Sequence, residues 1–266
     1  MLKRMCIPIQ ETGIGKTYDK KMRIDSITIF RFIAALIVIN FHFGKTLLDW
    51  PRILIAGSEM VTFFFVLSGF VMSYSYLPRK NIIPTEFWIS RFKRLSPAYY
   101  VALILSSVLL PQDNDIRSFA LSALYLQSWI PPYAPRLNGP AWSVSVEIFF
   151  YLMFPVIVWG IRHRRLSAFQ VCIGACAFWL VSEIMLLGLL NSRLDVTPPS
   201  IYYYLIYFFP LSYFSSFCLG VAGGMWFLFY SKRDKWYFSL LAMFLAAALS
   251  YSLRLTYAWS CSPEQI

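Results

Sequence analysis

Polar positions are so sparse along this chain that they punctuate long apolar runs instead of alternating with them. The runs cover 27–43, 60–76, 96–110, 142–160, 168–190, 201–230 and 236–257. A helix that is apolar all round is shielded from water on every side, and about 20 such residues cross a bilayer. The pattern therefore predicts an all-α, polytopic transmembrane helix bundle with about seven spanning helices. The third run is short for a span, so its helix is expected to begin earlier, near Trp88, with basic side chains snorkelling to the interface. The sixth run contains Pro210 and opens on "IYYYLIYFF", which reads as an interfacial aromatic belt leading into a kinked helix. Residues 118–130 are expected to form a short helix on or in the outer surface. The resulting division is a cytoplasmic segment 1–23, a membrane domain 24–258 and a short tail 259–266.

Composition supports this reading: only 14% of residues are charged, against about a quarter in soluble domains. The formal charge of +11 would point to nucleic acid if it covered a soluble face. Its placement argues otherwise. With the N-terminus inside, 17 of the 24 lysines and arginines fall on the cytoplasmic side, five fall outside, and Arg31 and Arg254 lie within spans. That is the positive-inside bias, so the expected partner is the lipid bilayer and nucleic acid is excluded. Residues 1–23 carry no apolar leader, and the first span is expected to act as the insertion signal. Cys172, Cys176 and Cys218 lie in apolar runs without a second Cys/His pair, so they read as small hydrophobes and no metal is expected.

Candidate chemistry enters with the few polar residues inside the spans. In "FRFIAALIVINFH", Arg31 and His42 are eleven residues apart, which on a helix is one face and roughly 16 Å of rise. Such a stripe faces a partner or a wet cavity, not lipid, although snorkelling for Arg31 and an interfacial carbonyl bond for His42 are the plainer alternatives. In "GPAWSVSVEIFFYLMFP", Ser143, Glu147 and Tyr151 share a face, and Ser143 with Glu147 also reads as a capping box. A carboxylate beside an imidazole fixes its tautomer and makes it a better base, so His42 with Glu147 is the candidate catalytic pair. In "FWISRFKRLSPAYY", Arg91 and Arg94 share a face and suit phosphate, the plainer reading being a positive-inside anchor. In "VTFFFVLSGFVMSYSY", Ser68 and Gly69 either let helices approach closely or leave room for a thin substrate arm.

Taken in order, Arg31-x10-His42, "FFFVLSGF", Arg91-x-x-Arg94 and "WSVSVEIFFY", with a weaker echo in "FCLGVAGGMW", resemble the membrane acyltransferase family 3. These are O-acyltransferases that modify bacterial surface glycans. The resemblance spans residues 24 to about 229. It implies an enzyme that carries an acyl group, acetyl in the simplest case, from cytoplasmic acyl-CoA to a hydroxyl of a surface glycan or lipid-linked saccharide such as lipopolysaccharide. Acyl-CoA would be a co-substrate, with no permanently bound cofactor, and the location would be a bacterial inner membrane. His42 and Glu147 would be catalytic, and Arg31, Arg91 and Arg94 would bind the donor. Ser68, Gly69, Trp142, Ser143, Ser145 and Tyr151 would support the site. Family members commonly have about ten spans, so the resemblance also implies a C-terminally short version, which leaves open a truncated, inactive relative. The rival reading from another class is a transporter or flippase, with the intramembrane Arg, His and Glu forming a proton or substrate path.

Overall fold

A computed structural model describes residues 25–47, 57–109, 115–192, 194–196 and 198–230. The expected seventh span at 236–257, the 1–23 segment and the 259–266 tail lie outside the described residues. The described chain is helical: α1 Asp25–Leu47, α2 Gly57–Tyr76, α3 Pro84–Leu109, α4 Ile116–Ala123, α5 Trp142–His163, α6 Ala168–Leu190, α7 Ile201–Tyr207 and α8 Leu211–Tyr230. Among the described residues, three helical stretches are long and apolar enough to cross a membrane, Gly139–His163, Ala168–Leu190 and Ile201–Phe229, with shorter apolar helices at Ile29–His42 and Met60–Tyr76. The fold is a helical membrane bundle.

Helix α3 starts at Pro84, even earlier than expected, because proline fits the first turn of a helix, where its missing N–H leaves nothing unpaired. Arg91, Lys93 and Arg94 break its apolar run without breaking the helix. The expected kink at Pro210 separates α7 from α8. Carbonyls freed there are recaptured, since Ser212 Oγ donates to Leu205 O at 2.7 Å and the Tyr213 hydroxyl to Tyr207 O at 2.8 Å.

The tightest contact in the bundle is between α2 and α8, and glycine permits it. A Cβ on Gly69 would strike the Phe217 carbonyl, one on Gly220 the Val66 carbonyl, and one on Gly224 the Ser73 hydroxyl. Lipid provides no hydrophobic drive between helices, so such backbone-to-backbone packing is what holds them. Gly69 therefore serves close packing, and the alternative of room for a substrate arm is set aside. Around this seam aromatic rings fill the core: Phe150 stacks on Phe217 at 4.5 Å between centroids, and Phe65 meets Phe150 and Tyr213 edge-on.

The segment between α3 and α5 folds back over both helices. Asp115 caps α4 by accepting from the Ser118 N–H and pairs with Arg136 at 2.8 Å. Buried Gln127 donates to the Tyr99 hydroxyl at 3.1 Å and to Ala141 O at 3.0 Å. Ser128 donates to Trp142 O, Tyr99 to Ser122 O and Ser145 to Tyr125 O. At the other end of the bundle, Arg162 at the end of α5 donates to Leu77, Arg79 and Lys80 carbonyls and ties down the α2–α3 turn.

Candidate functional site

Polar side chains from four helices meet between these two tied ends. Arg31 of α1, Ser68 of α2, Arg91 and Arg94 of α3, and Glu147 and Tyr151 of α5 line a recess of about 130 Å3, floored by Val71, Met72 and Leu95. A single water needs about 15 Å3, and a drug-sized ligand about 300 Å3 or more. The recess therefore suits one polar group of a larger ligand.

Glu147 is fixed from two helices. Ser68 Oγ donates to its Oε1 at 3.1 Å, and the Tyr151 hydroxyl, one turn further along α5, donates to the same oxygen at 2.6 Å. Tyr151 is itself set by α3, whose Trp88 Nε1 donates to the Tyr151 carbonyl at 3.0 Å. Arg91 lies among ring faces, 5.2 Å from the centroid of Tyr76, 5.4 Å from Phe87 and 5.9 Å from Tyr151. Its Nε is buried without a hydrogen-bond partner. Phe87 precedes Arg91 by one turn on α3, a spacing readable from sequence that the sequence reading passed over. Tyr76 arrives from another helix and left no such signal.

Arg31, Arg91, Arg94, Ser68, Glu147 and Tyr151 are thus brought together, but not all as the sequence suggested. Arg91 and Arg94 line the recess from α3, about 10 and 15 Å along it by helical rise, Arg91 half-buried and Arg94 exposed. Ser143 makes no capping box: its hydroxyl donates to Pro140 O at 2.9 Å, and α5 begins without a side-chain cap. Trp142 and Ser145 act in packing and tethering, Trp142 within an aromatic cluster with Phe65, Phe208 and Tyr213.

The largest departure concerns His42, which does not line the recess and does not meet Glu147. Its Nδ1 lies 2.9 Å from the Val38 carbonyl one turn back, its ring stands edge-on to Phe41, and it is exposed among the described residues. Depth explains the separation. Arg31 lines the recess with Glu147, and His42 is eleven residues, roughly 16 Å, further along α1. The sequence reading paired His42 with Glu147, whereas the structure sets Arg31 beside Glu147. It also passed over Glu183, a carboxyl buried to 1% exposure within apolar α6, although an ionisable residue in a span is itself a signal. Cys172 Sγ contacts the Ala222 carbonyl at 3.6 Å and serves the α6–α8 contact.

Comparison with known proteins adds to this geometry. A family model described as "Acyltransferase domain" matches residues 24–261. The chain is 32% identical over 169 residues to the acyltransferase MdmB of Streptomyces mycarofaciens, covering 54% of this chain and 42% of that protein. It is 31% identical over 192 residues to a Staphylococcus aureus protein named "Putative O-acetyltransferase", covering 65% of this chain and 30% of that protein. It is 28% identical over 161 residues to the peptidoglycan O-acetyltransferase OatA of Listeria monocytogenes, covering 53% and 25%. The chain thus spans less than half the length of these relatives. No solved structure matches.

Proposed function

The chain belongs to the membrane acyltransferase family 3, and from that premise we propose that it is an integral-membrane O-acyltransferase. It takes an acyl group, acetyl in the simplest case, from acyl-CoA on the cytoplasmic side and delivers it to a glycan hydroxyl on the other. The N-terminus is cytoplasmic, by the distribution of basic residues, and the membrane is a bacterial inner membrane. The observation that carries the reading is the convergence of Arg31, Arg91 and Arg94 around Glu147 within an otherwise apolar bundle. Guanidinium forks match phosphate and other oxyanions, and gathering three of them around one recess is unfavourable without an anion to receive. The recess has room for one such group of the donor.

His42 is the general base in this reading, oriented by its own helix and not by Glu147. The Val38 carbonyl can only accept, so it holds the proton on Nδ1 and leaves the Nε2 lone pair outward. Nε2 takes the proton of the acceptor hydroxyl as its oxygen attacks the thioester carbonyl. The C–S bond breaks, and the departing thiolate takes that proton back from the imidazolium. The route from recess to base is the roughly 16 Å between Arg31 and His42 along α1.

The test is release of free thiol from labelled acyl-CoA by the purified, reconstituted chain. Release that requires a glycan acceptor and labels it supports the enzyme. Glycan crossing the membrane unacylated would instead support a flippase.

A further inference from the structure

We infer that Ser68 and Tyr151 are positioning residues that hold the Glu147 carboxylate off Arg31, Arg91 and Arg94, so that the three guanidiniums stay open to a phosphate-type anion. This rests on the reading of the recess as a donor site and adds how the site is kept ready.

Three arginines and a carboxylate line one recess, yet among the described residues no ion pair joins Glu147 to any of them. A loose carboxylate in such a place closes onto a guanidinium, because the attraction is stronger than in water and the fork offers two parallel bonds. Here two hydrogen bonds arrive at the same oxygen, Oε1, from different helices: Ser68 at 3.1 Å and Tyr151 at 2.6 Å. Oε2 takes no hydrogen bond from the described residues. Arg91 is meanwhile supported by the faces of Tyr76, Phe87 and Tyr151, contacts that use none of its N–H groups. Its buried Nε remains unspent, which costs free energy until an acceptor arrives. Tyr151 does both jobs: its hydroxyl restrains the carboxylate and its ring steadies the guanidinium. Glu147 softens the mutual repulsion of the arginines without quenching them.

The experiment titrates inorganic pyrophosphate and, separately, coenzyme A onto the purified full chain in nanodiscs. Tyr151→Phe keeps the ring and removes the hydroxyl, and is expected to weaken both ligands about tenfold as the freed carboxylate competes for the arginines. Glu147→Gln should bind at least as tightly as the native chain. The Tyr151→Phe/Glu147→Gln double variant should regain native affinity, because nothing charged is left to compete. Ser68→Ala should show a smaller loss, likewise reversed by Glu147→Gln, and carries the same comparison if Tyr151→Phe does not fold. Native affinity in Tyr151→Phe would overturn the inference, and so would a double variant as weak as the single one. A native chain that binds neither ligand would overturn it as well. Pyrophosphate binding without coenzyme A binding keeps the clamp and removes acyl-CoA as donor. Binding of both without acyl transfer keeps the clamp and removes the enzyme reading.

Discussion

Gly220 of α8 rests directly on the backbone carbonyl of Val66 of α2, with no space for a Cβ between them. Because the obstruction is backbone, no rotamer change relieves it. Gly220→Ala should therefore cost about 1–3 kcal/mol or more, the usual range for overpacking. Gly174, in the second turn of α6, has nothing within 4 Å of its Cβ position, and Gly174→Ala should be neutral or slightly stabilising. The thermal midpoint of the detergent-solubilised chain checks both, and equal midpoints would refute the packing account.

Gln127 is buried and its amide bridges α3, through the Tyr99 hydroxyl, to the Ala141 carbonyl at the start of α5. Gln127→Leu keeps the bulk but leaves that carbonyl without its donor, a loss of about 1–3 kcal/mol. Increased amide exchange over residues 122–142, with α6 unchanged, is the expected signature.

Asp115 predicts a pH dependence for the same segment. The Ser118 backbone N–H, with a further contribution from Arg136, holds its carboxyl below the usual carboxylate range. A depressed folded value means the cap contributes in full above the unfolded carboxylate value, about 3.9. The contribution is lost as the pH falls through the lower folded value. Protection of the Ser118 amide should thus persist at pH 5 and fade in stronger acid, whereas in Asp115→Ala it should be low at both.

Most of the fold was legible because hydrophobic runs of helical length leave few alternatives in a membrane. The early start of α3 and the break at Pro210 followed from particular residues. The candidate site was legible as a set of side chains but not as a geometry. Spacing along one helix put Glu147 with Tyr151 and Arg91 with Arg94, and both pairs share the recess. Relations between helices depend on relative depth, which hydropathy reports only to within a turn or two. The difference here is larger, about three turns along α1 between Arg31 and His42, and it separates a His42–Glu147 pair from the observed Ser68–Glu147 contact. Ser143 reads as a cap by sequence, but α5 begins at Trp142, so Ser143 already lies inside the first turn and its hydroxyl turns back to Pro140 O.

In the proposed reading arginines hold the donor and a histidine does the chemistry, and coenzyme A affinity measured beside acyl transfer tests that division most directly. Arg91→Ala and Arg31→Ala should each bind coenzyme A about tenfold more weakly. His42→Ala should bind it like the native chain while transfer falls by about 10²–10⁴-fold. Coenzyme A held as tightly without those arginines as with them would contradict the account.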